Sequence, residues 1–170
     1  MGHRKLVKKI CLLGDGAVGK TSLVRRYVFD LFDDRYIVSF GTKVVKKVLQ
    51  IEDCELSIMI WDILGQREHD KLHAAYYRGA SGALLVCDQT RPETLASIPD
   101  WTANFRNVSP DAALYLLVNK NDLEASVSEN QVSEIASQLG IEFIGTSAKT
   151  GENVEHAFSH MADDIVGEIR

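Results

Sequence analysis

Hydrophobic positions recur along the chain in two rhythms. The runs "LVKKICLL" (6–13), "TKVVKKVLQI" (42–51), "ELSIMIWD" (55–62), "GALLVCD" (82–88), "ALYLLVN" (113–119) and "IEFIGTS" (141–147) are short, and either alternate or are apolar throughout, which predicts strands. The second and third are adjacent strands joined around Glu52-Asp53. Between the strands the rhythm lengthens to a helical one. "KTSLVRRYVFD" places Leu23, Val24, Tyr27 and Val28 on one face, and "ENVEHAFSHMADDIVGEI" does the same with Val154, Ala157, Phe158, Met161 and Ile165. In "RPETLASIPDWTANFRN", Pro99 cannot sit mid-helix without removing a hydrogen bond, so the main helix should start there, with Ser97 or Ile98 near its cap. "VSENQVSEIASQLG" begins with a capping box, Ser128 and Gln131, and stops at Gly140. Strand–helix alternation of this kind predicts an α/β fold. Its six-stranded mixed sheet is mostly parallel, with one antiparallel strand and five flanking helices, and ligands bind beyond the carboxyl ends of the strands.

Composition narrows the class. The 170 residues suit one domain, 1–170; 45% are hydrophobic and 25% charged, a globular balance. Net charge is −5, which argues against a nucleic-acid-binding surface, and the basic "HRKLVKK" at the start reads as a solvated face of the first strand. No run approaches the ~20 apolar residues of a transmembrane helix. Gly2 is present, but Leu6 stands where a myristoylation signal needs serine or threonine. Cys11, Cys54 and Cys87 are scattered through apolar segments, so they read as buried free thiols of a reducing compartment.

The strongest local signal is "GDGAVGKT" (14–21), between the first strand and the first helix. It fits G-x-x-x-x-G-K-[ST] through Gly14, Gly19, Lys20 and Thr21, in the strand–turn–helix context that this phosphate-binding loop requires. Glycines let backbone N–H groups close around a phosphate, the helix start adds partial positive charge, Lys20 adds a full one, and Thr21 offers Mg²⁺ a hydroxyl.

Two further polar stretches fall at carboxyl ends of strands, "NKND" (119–122) and "TSAK" (146–149). Guanine presents N1–H and N2–H₂ on one edge, and the Asp122 carboxylate can accept both, whereas adenine offers no matching pair. An N–H at Ala148 could serve the guanine O6, and the aliphatic stems of Lys120 and Lys149 could cover the ring faces.

With "GDGAVGKT", "WDILGQ" (61–66), "YYRGA" (76–80), "NKND" and "GTSAKTGENVEHAF" (145–158) in this order, the chain resembles a Ras-superfamily small GTPase, most of all its Rab branch. The resemblance implies a switch that binds GTP or GDP with Mg²⁺ and hydrolyses GTP slowly, at a scale of about 10⁻⁴ s⁻¹ unassisted, and regulates membrane traffic. It implies that Asp15, Gly16, Ala17, Val18, Gly19, Lys20, Thr21 and Ser22 surround the phosphates, and that Asn119, Lys120, Asp122, Leu123, Ser147, Ala148 and Lys149 surround the base. Phe32 falls where the family sets an aromatic ring edge-on to guanine, Tyr36 where a tyrosine covers the phosphates, and Ser39 where a threonine holds Mg²⁺ and the γ-phosphate. Thr21, Ser39 and Asp62 are the implied metal residues; Gly65 meets the γ-phosphate; Lys20 and Gln66 are the catalytic pair, with Gln66 orienting water beside the small residue Gly16.

The chain also departs from the family. Ser39 keeps the hydroxyl but lacks the methyl that stiffens threonine, with Thr42 as the alternative ligand. Leu64 replaces a small residue, and Arg67 follows Gln66 where the family has glutamate; Arg67 and Arg35 are candidate internal arginine fingers against the plainer reading of solvated surface arginines. Such switches would suit a divergent or archaeal relative. An interaction module that holds nucleotide with little hydrolysis is the rival function. Effectors, exchange factors and GTPase-activating proteins should meet residues 36–48 and 62–80 of a monomeric, cytoplasmic protein. It would lie on the cytosolic face of a membrane if a lipidated tail follows residue 170.

Overall fold

The structure, a computed structural model, describes residues 2–32, 42–63 and 70–168, with the side chains of 70–72 outside the description. The strands are β1 (Arg4–Leu13), β2 (Lys43–Ile51), β3 (Cys54–Asp62), β4 (Ala80–Asp88), β5 (Ala113–Asn119) and β6 (Glu142–Gly145). They form one sheet in the order β2-β3-β1-β4-β5-β6. β2 pairs antiparallel to β3 and the other neighbours are parallel. The chain leaves β1 toward β3 on one side and β4 on the other, so the loop after β1 opens where the winding reverses, the place such sheets keep for ligands.

Alternation along β1 divides the core. Ile10 and Leu12 face a layer containing helix α1 (Lys20–Phe29) and helix α6 (Val154–Gly167), where Leu23, Val24, Tyr27, Phe158 and Met161 are buried. Tyr27 stacks on Phe158 with ring centroids 4.1 Å apart. Cys11 and Leu13 face the other layer, with Tyr77 from helix α2 (Asp70–Tyr77), Trp101 and Phe105 from helix α4 (Ile98–Val108), and Val132 and Ala136 from helix α5 (Glu129–Leu139). The central strand is thus covered on both faces, as the unbroken apolar run of β4 also requires.

Helix boundaries follow their caps. Ser128 Oγ accepts from the Gln131 N–H while the Gln131 side chain accepts from the Ser128 N–H, and Gly140 ends α5 in the left-handed region at φ 67°. In the 91–107 stretch the main helix α4 starts as expected, with Ser97 at its cap, and a short helix α3 (Pro92–Ala96) precedes it. Pro99 lies in the first turn of α4, as its missing N–H demands. Ser97 stands at the cap but makes no capping bond with its side chain, because its hydroxyl is engaged elsewhere. Among the described residues, no helix is long and apolar enough to cross a membrane.

Candidate functional site

The loop between β1 and α1 is built to turn its amides inward. In a trans peptide the carbonyl and the following N–H point in opposite directions. Along this loop the carbonyls are taken in sequence by donors. Lys20 Nζ donates to Gly14 O at 2.8 Å and Asp15 O at 2.9 Å, Arg91 Nη1 to Gly16 O at 3.0 Å, Lys120 Nζ to Ala17 O at 3.0 Å, and Asn119 Nδ2 to Val18 O at 2.9 Å. Five consecutive peptide planes are therefore oriented: the N–H groups of Ala17, Val18 and Gly19 are turned away from Arg91, Lys120 and Asn119, while those of Asp15 and Gly16 are turned away from Lys20 itself. Glycine is required at both ends of the loop. A Cβ on Gly14 (φ 146°) would lie 2.2 Å from Val86 O, and one on Gly19 (φ 104°) would lie 2.3 Å from Asn119 Nδ2. Ala17 takes the left-handed region too, at φ 63°, without glycine's freedom; that costs an ordinary residue roughly 1–2 kcal/mol.

Lys20 is 7% exposed, and burial pushes its ammonium down to about 8, against the pull of Asp62 and Asp15. Its two bonds to carbonyls leave a third proton that an anion can take. An anion seated on inward N–H groups would also relieve the cost of burying this charge, so a phosphate fits the cradle.

Thr21 opens α1 and Asp62 closes β3, and the Thr21 hydroxyl donates to Asp62 Oδ2 at 2.6 Å. Burial raises the Asp62 carboxyl, opposed by the Thr21 bond and by Lys20 and Lys43. A hydroxyl and a buried carboxylate form an all-oxygen donor pair that suits Mg²⁺. Among the described residues no cluster of three His, Cys, Asp or Glu could hold a metal.

The two loops expected to hold the base are fastened to each other. Ser147 Oγ donates to Asp122 Oδ1 at 2.7 Å, Thr146 Oγ1 to Asn119 Oδ1 at 3.1 Å, and Asn121 N to Thr146 O at 3.0 Å. The Ser147 carbonyl accepts from Gly151 N at 2.8 Å, which turns the Ala148 N–H the opposite way. The Ala148 carbonyl accepts Arg26 Nε at 2.7 Å, and the Lys149 carbonyl accepts Arg26 Nη2. Lys120 reaches past Ala17 to Asp88 Oδ2 at 2.8 Å. Burial works to raise the Asp88 carboxyl, but the hydrogen bonds from Lys120 and Thr90 together outweigh it and lower the pKa. Leu123 is 49% exposed at the end of this segment, its carbonyl accepting Gln89 Nε2.

The sheet edge thus brings together Lys20, Thr21 and Asp62 beside the P-loop, and Asn119, Lys120, Asp122, Ser147 and Ala148 beyond β5 and β6. Ser22 lies in the first turn of α1, and Phe32 packs half-buried against the core layer of α1 and α6. Tyr36, Ser39, Gly65, Gln66, and the arginines Arg35 and Arg67, lie outside the described residues.

Three residues with no clear signal in the sequence also fasten the P-loop. The Asp15 carboxylate accepts Ser97 Oγ at 2.7 Å and Trp101 Nε1 at 2.9 Å, and Arg91 reaches Gly16. None of these residues falls within a motif. Pro92 gave one readable sign, since a residue before proline is held extended, and Arg91 is, at φ −130° and ψ 92°.

Comparison with known proteins agrees with this geometry. The family model described as Ras family matches residues 9–167. The chain is 37% identical over 161 residues to the Ras-related protein Rab-13 of Canis lupus familiaris, covering 93% of this chain and 79% of that protein. It is 36% identical over 171 residues to the Ras-related protein RABA4b of Arabidopsis thaliana, covering 99% and 76%, and 36% identical over 164 residues to the Ras-related protein Rab-8A of Gallus gallus, covering 95% and 79%.

Proposed function

The chain belongs to the Ras family as a Rab-like small GTPase, a GTP-binding molecular switch, and from that premise we propose how its residues carry the cycle. The observation that supports the reading best is the run of peptides from Gly16 to Gly19, whose carbonyls are held by Arg91, Lys120 and Asn119, beside the buried Lys20. Inward amides and a buried ammonium suit the β- and γ-phosphates of GTP and the β-phosphate of GDP. Asp122 accepts the two guanine N–H groups, steadied by Ser147, while the Ala148 N–H serves the guanine O6. Thr21, Asp62 and Ser39 would hold Mg²⁺, which would supply positive charge to the phosphate oxygens. Lys20 steadies the charge of the same oxygens. Gln66 orients the attacking water, Gly65 meets the γ-phosphate, and Tyr36 covers it.

Hydrolysis on this design is slow, because catalysis rests on positioning and charge. A slow reaction suits a timer: the γ-phosphate orders residues 36–48 and 62–80, and effectors, exchange factors and GTPase-activating proteins read that order. A half-buried aromatic pair, Trp61 and Tyr76 with centroids 6.0 Å apart, adjoins exposed Val44, which pairs with Trp61 between β2 and β3, and supports a docking role there. We further propose that residues 1–170 form one G domain. It would act as a monomer in membrane traffic, on the cytosolic face of membranes.

The test is single-turnover GTP hydrolysis by the parent and by Gln66→Leu. Hydrolysis slowed about tenfold or more with nucleotide affinity kept supports the switch. A parent that retains GTP without cleaving it supports the rival, a nucleotide-locked interaction module.

A further inference from the structure

We propose that Arg91 is a positioning residue of the phosphate cradle: by holding the Gly16 carbonyl it keeps the Ala17 N–H facing the nucleotide. The inference rests on the phosphate-binding reading above and adds a residue that lies in none of the motifs behind it.

The other donors in the row belong to the recognised motifs, Lys20 to the P-loop and Asn119 and Lys120 to "NKND". The peptide between Gly16 and Ala17 is the one held by Arg91, with Nη1 3.0 Å from Gly16 O. It is also the peptide with most reason to turn over. Rotating it by 180° would carry φ of Ala17 from 63° to about −117°, out of the left-handed region and into the broad extended one. Gly16 would absorb the matching change in ψ, since it has no side chain and nothing lies within 4 Å of where a Cβ would stand. After such a flip the carbonyl would face the phosphate and the N–H would be lost to it. Arg91 opposes that relaxation directly.

Arg91 is itself well placed for the task. Its backbone sits just past the carboxyl end of β4, held by Arg91 N to Asp88 O at 3.0 Å, and its carbonyl accepts Thr94 N at 3.0 Å and Thr94 Oγ1 at 2.7 Å. Pro92 restricts it to extended conformations. Its Nε donates to Glu93 Oε1 at 3.1 Å, which fixes the guanidinium from its other edge and offsets part of its charge. That ion pair makes Arg91 better suited to holding a carbonyl than to attracting a phosphate through space.

The experiment is a double-mutant cycle on dissociation of a fluorescent GDP analogue, using Arg91→Met, Ala17→Gly and the double variant with Mg²⁺ present. Arg91→Met should speed release about three- to tenfold in the parent. In the Ala17→Gly background, where the left-handed conformation carries no penalty, the same change should speed release less than about twofold. The ratio of parent to Arg91→Met should also survive a rise in salt from about 0.05 to 0.5 M, whereas a through-space attraction would be screened away. Equal effects in both backgrounds, no effect in the parent, or an effect erased by salt would each overturn the inference while leaving nucleotide binding intact. A parent that fails to retain guanine nucleotide would overturn the phosphate-binding reading, and this inference with it. Arg91→Gln provides a second variant if Arg91→Met lowers the thermal midpoint.

Discussion

Trp101 Nε1 donates to Asp15 Oδ1 at 2.9 Å, joining α4 to the second residue of the P-loop across 86 positions of sequence. Ser97 Oγ takes the other carboxylate oxygen at 2.7 Å, so one side chain of the cradle is held by two residues of one helical segment. Trp101 also packs 5.5 Å from His73 of α2, which places α2, α4 and the P-loop in one contact network.

Trp101→Phe keeps a ring in this packing and removes the donor. A hydrogen bond to a charged group contributes about 1.5–3 kcal/mol, and Asp15, half-exposed and still bonded to Ser97, should show the lower end. The thermal midpoint should fall by roughly 3–6 °C for a chain of this size, and GDP should dissociate a few-fold faster. A midpoint within 1 °C of the parent, taken here as about the error of the scan, would show that the indole contributes packing alone.

The part of this site legible in the sequence is the part made of local geometry. Gly14, Gly19, Lys20 and Thr21 lie within one turn and one helix start, so spacing alone describes them. The Ser128–Gln131 box and Gly140 stop are equally local, and both stand as expected. Arg91, Ser97 and Trp101 were illegible because each acts on a loop more than seventy residues away, through a side chain whose direction depends on how β4 and α4 pack. Ser97 shows the limit well. Its position suggested a helix cap and it does stand at the start of α4, yet its hydroxyl bonds to Asp15 and to Glu93 O rather than to the helix N-terminus. Helix α2 left little trace in the hydrophobic pattern, since "DKLHAAYY" mixes polar and apolar positions and its burial comes from contacts with α4.

Cys11 and Cys87 should resist thiol reagents in the folded protein. Both are fully buried. Burial pushes each thiol up to about 12, with Lys9 opposing at Cys11 and Asp88 reinforcing at Cys87. The unfolded chain ionises near its ordinary value of 9, so these groups favour the fold below pH 9 and withdraw that contribution as pH rises toward 12. Pulse labelling at pH 8 followed by mass spectrometry should show modification limited by opening of the fold and accelerated by orders of magnitude in denaturant. Labelling of either residue at the rate of a free peptide thiol would contradict this burial.

The proposed Mg²⁺ site predicts a loss of sensitivity to chelation. The Thr21 hydroxyl lies 2.6 Å from Asp62 Oδ2, and a cation between nucleotide and protein would draw on both. Adding EDTA to the parent should speed GDP release about tenfold or more. Thr21→Val keeps the branched shape and removes the oxygen, so its release should already be fast and EDTA should add less than about twofold. Parent-like sensitivity in Thr21→Val would place the metal on other oxygens.

Base selection should rest on Asp122, and here the argument concerns pairing rather than charge alone. Ser147 Oγ occupies one edge of the carboxylate at 2.7 Å and fixes its plane, while Thr146 and Asn119 lock the two base loops together. A fixed carboxylate offers two acceptors to guanine N1–H and N2–H₂. Asp122→Asn replaces one acceptor with a donor, which faces a guanine donor and leaves both unsatisfied in a site already committed elsewhere. The mismatch should cost about 2–4 kcal/mol of GDP and GTP binding. Xanthine carries a carbonyl where guanine carries the amine, so the same variant should prefer xanthine nucleotides. Competition binding with GDP, XDP and ADP tests the full set: the parent should favour GDP strongly, and the variant should favour XDP. If ADP displaces GDP from the parent equally well, Asp122 is not reading the base, and the loops at 119–122 and 146–149 serve the fold instead.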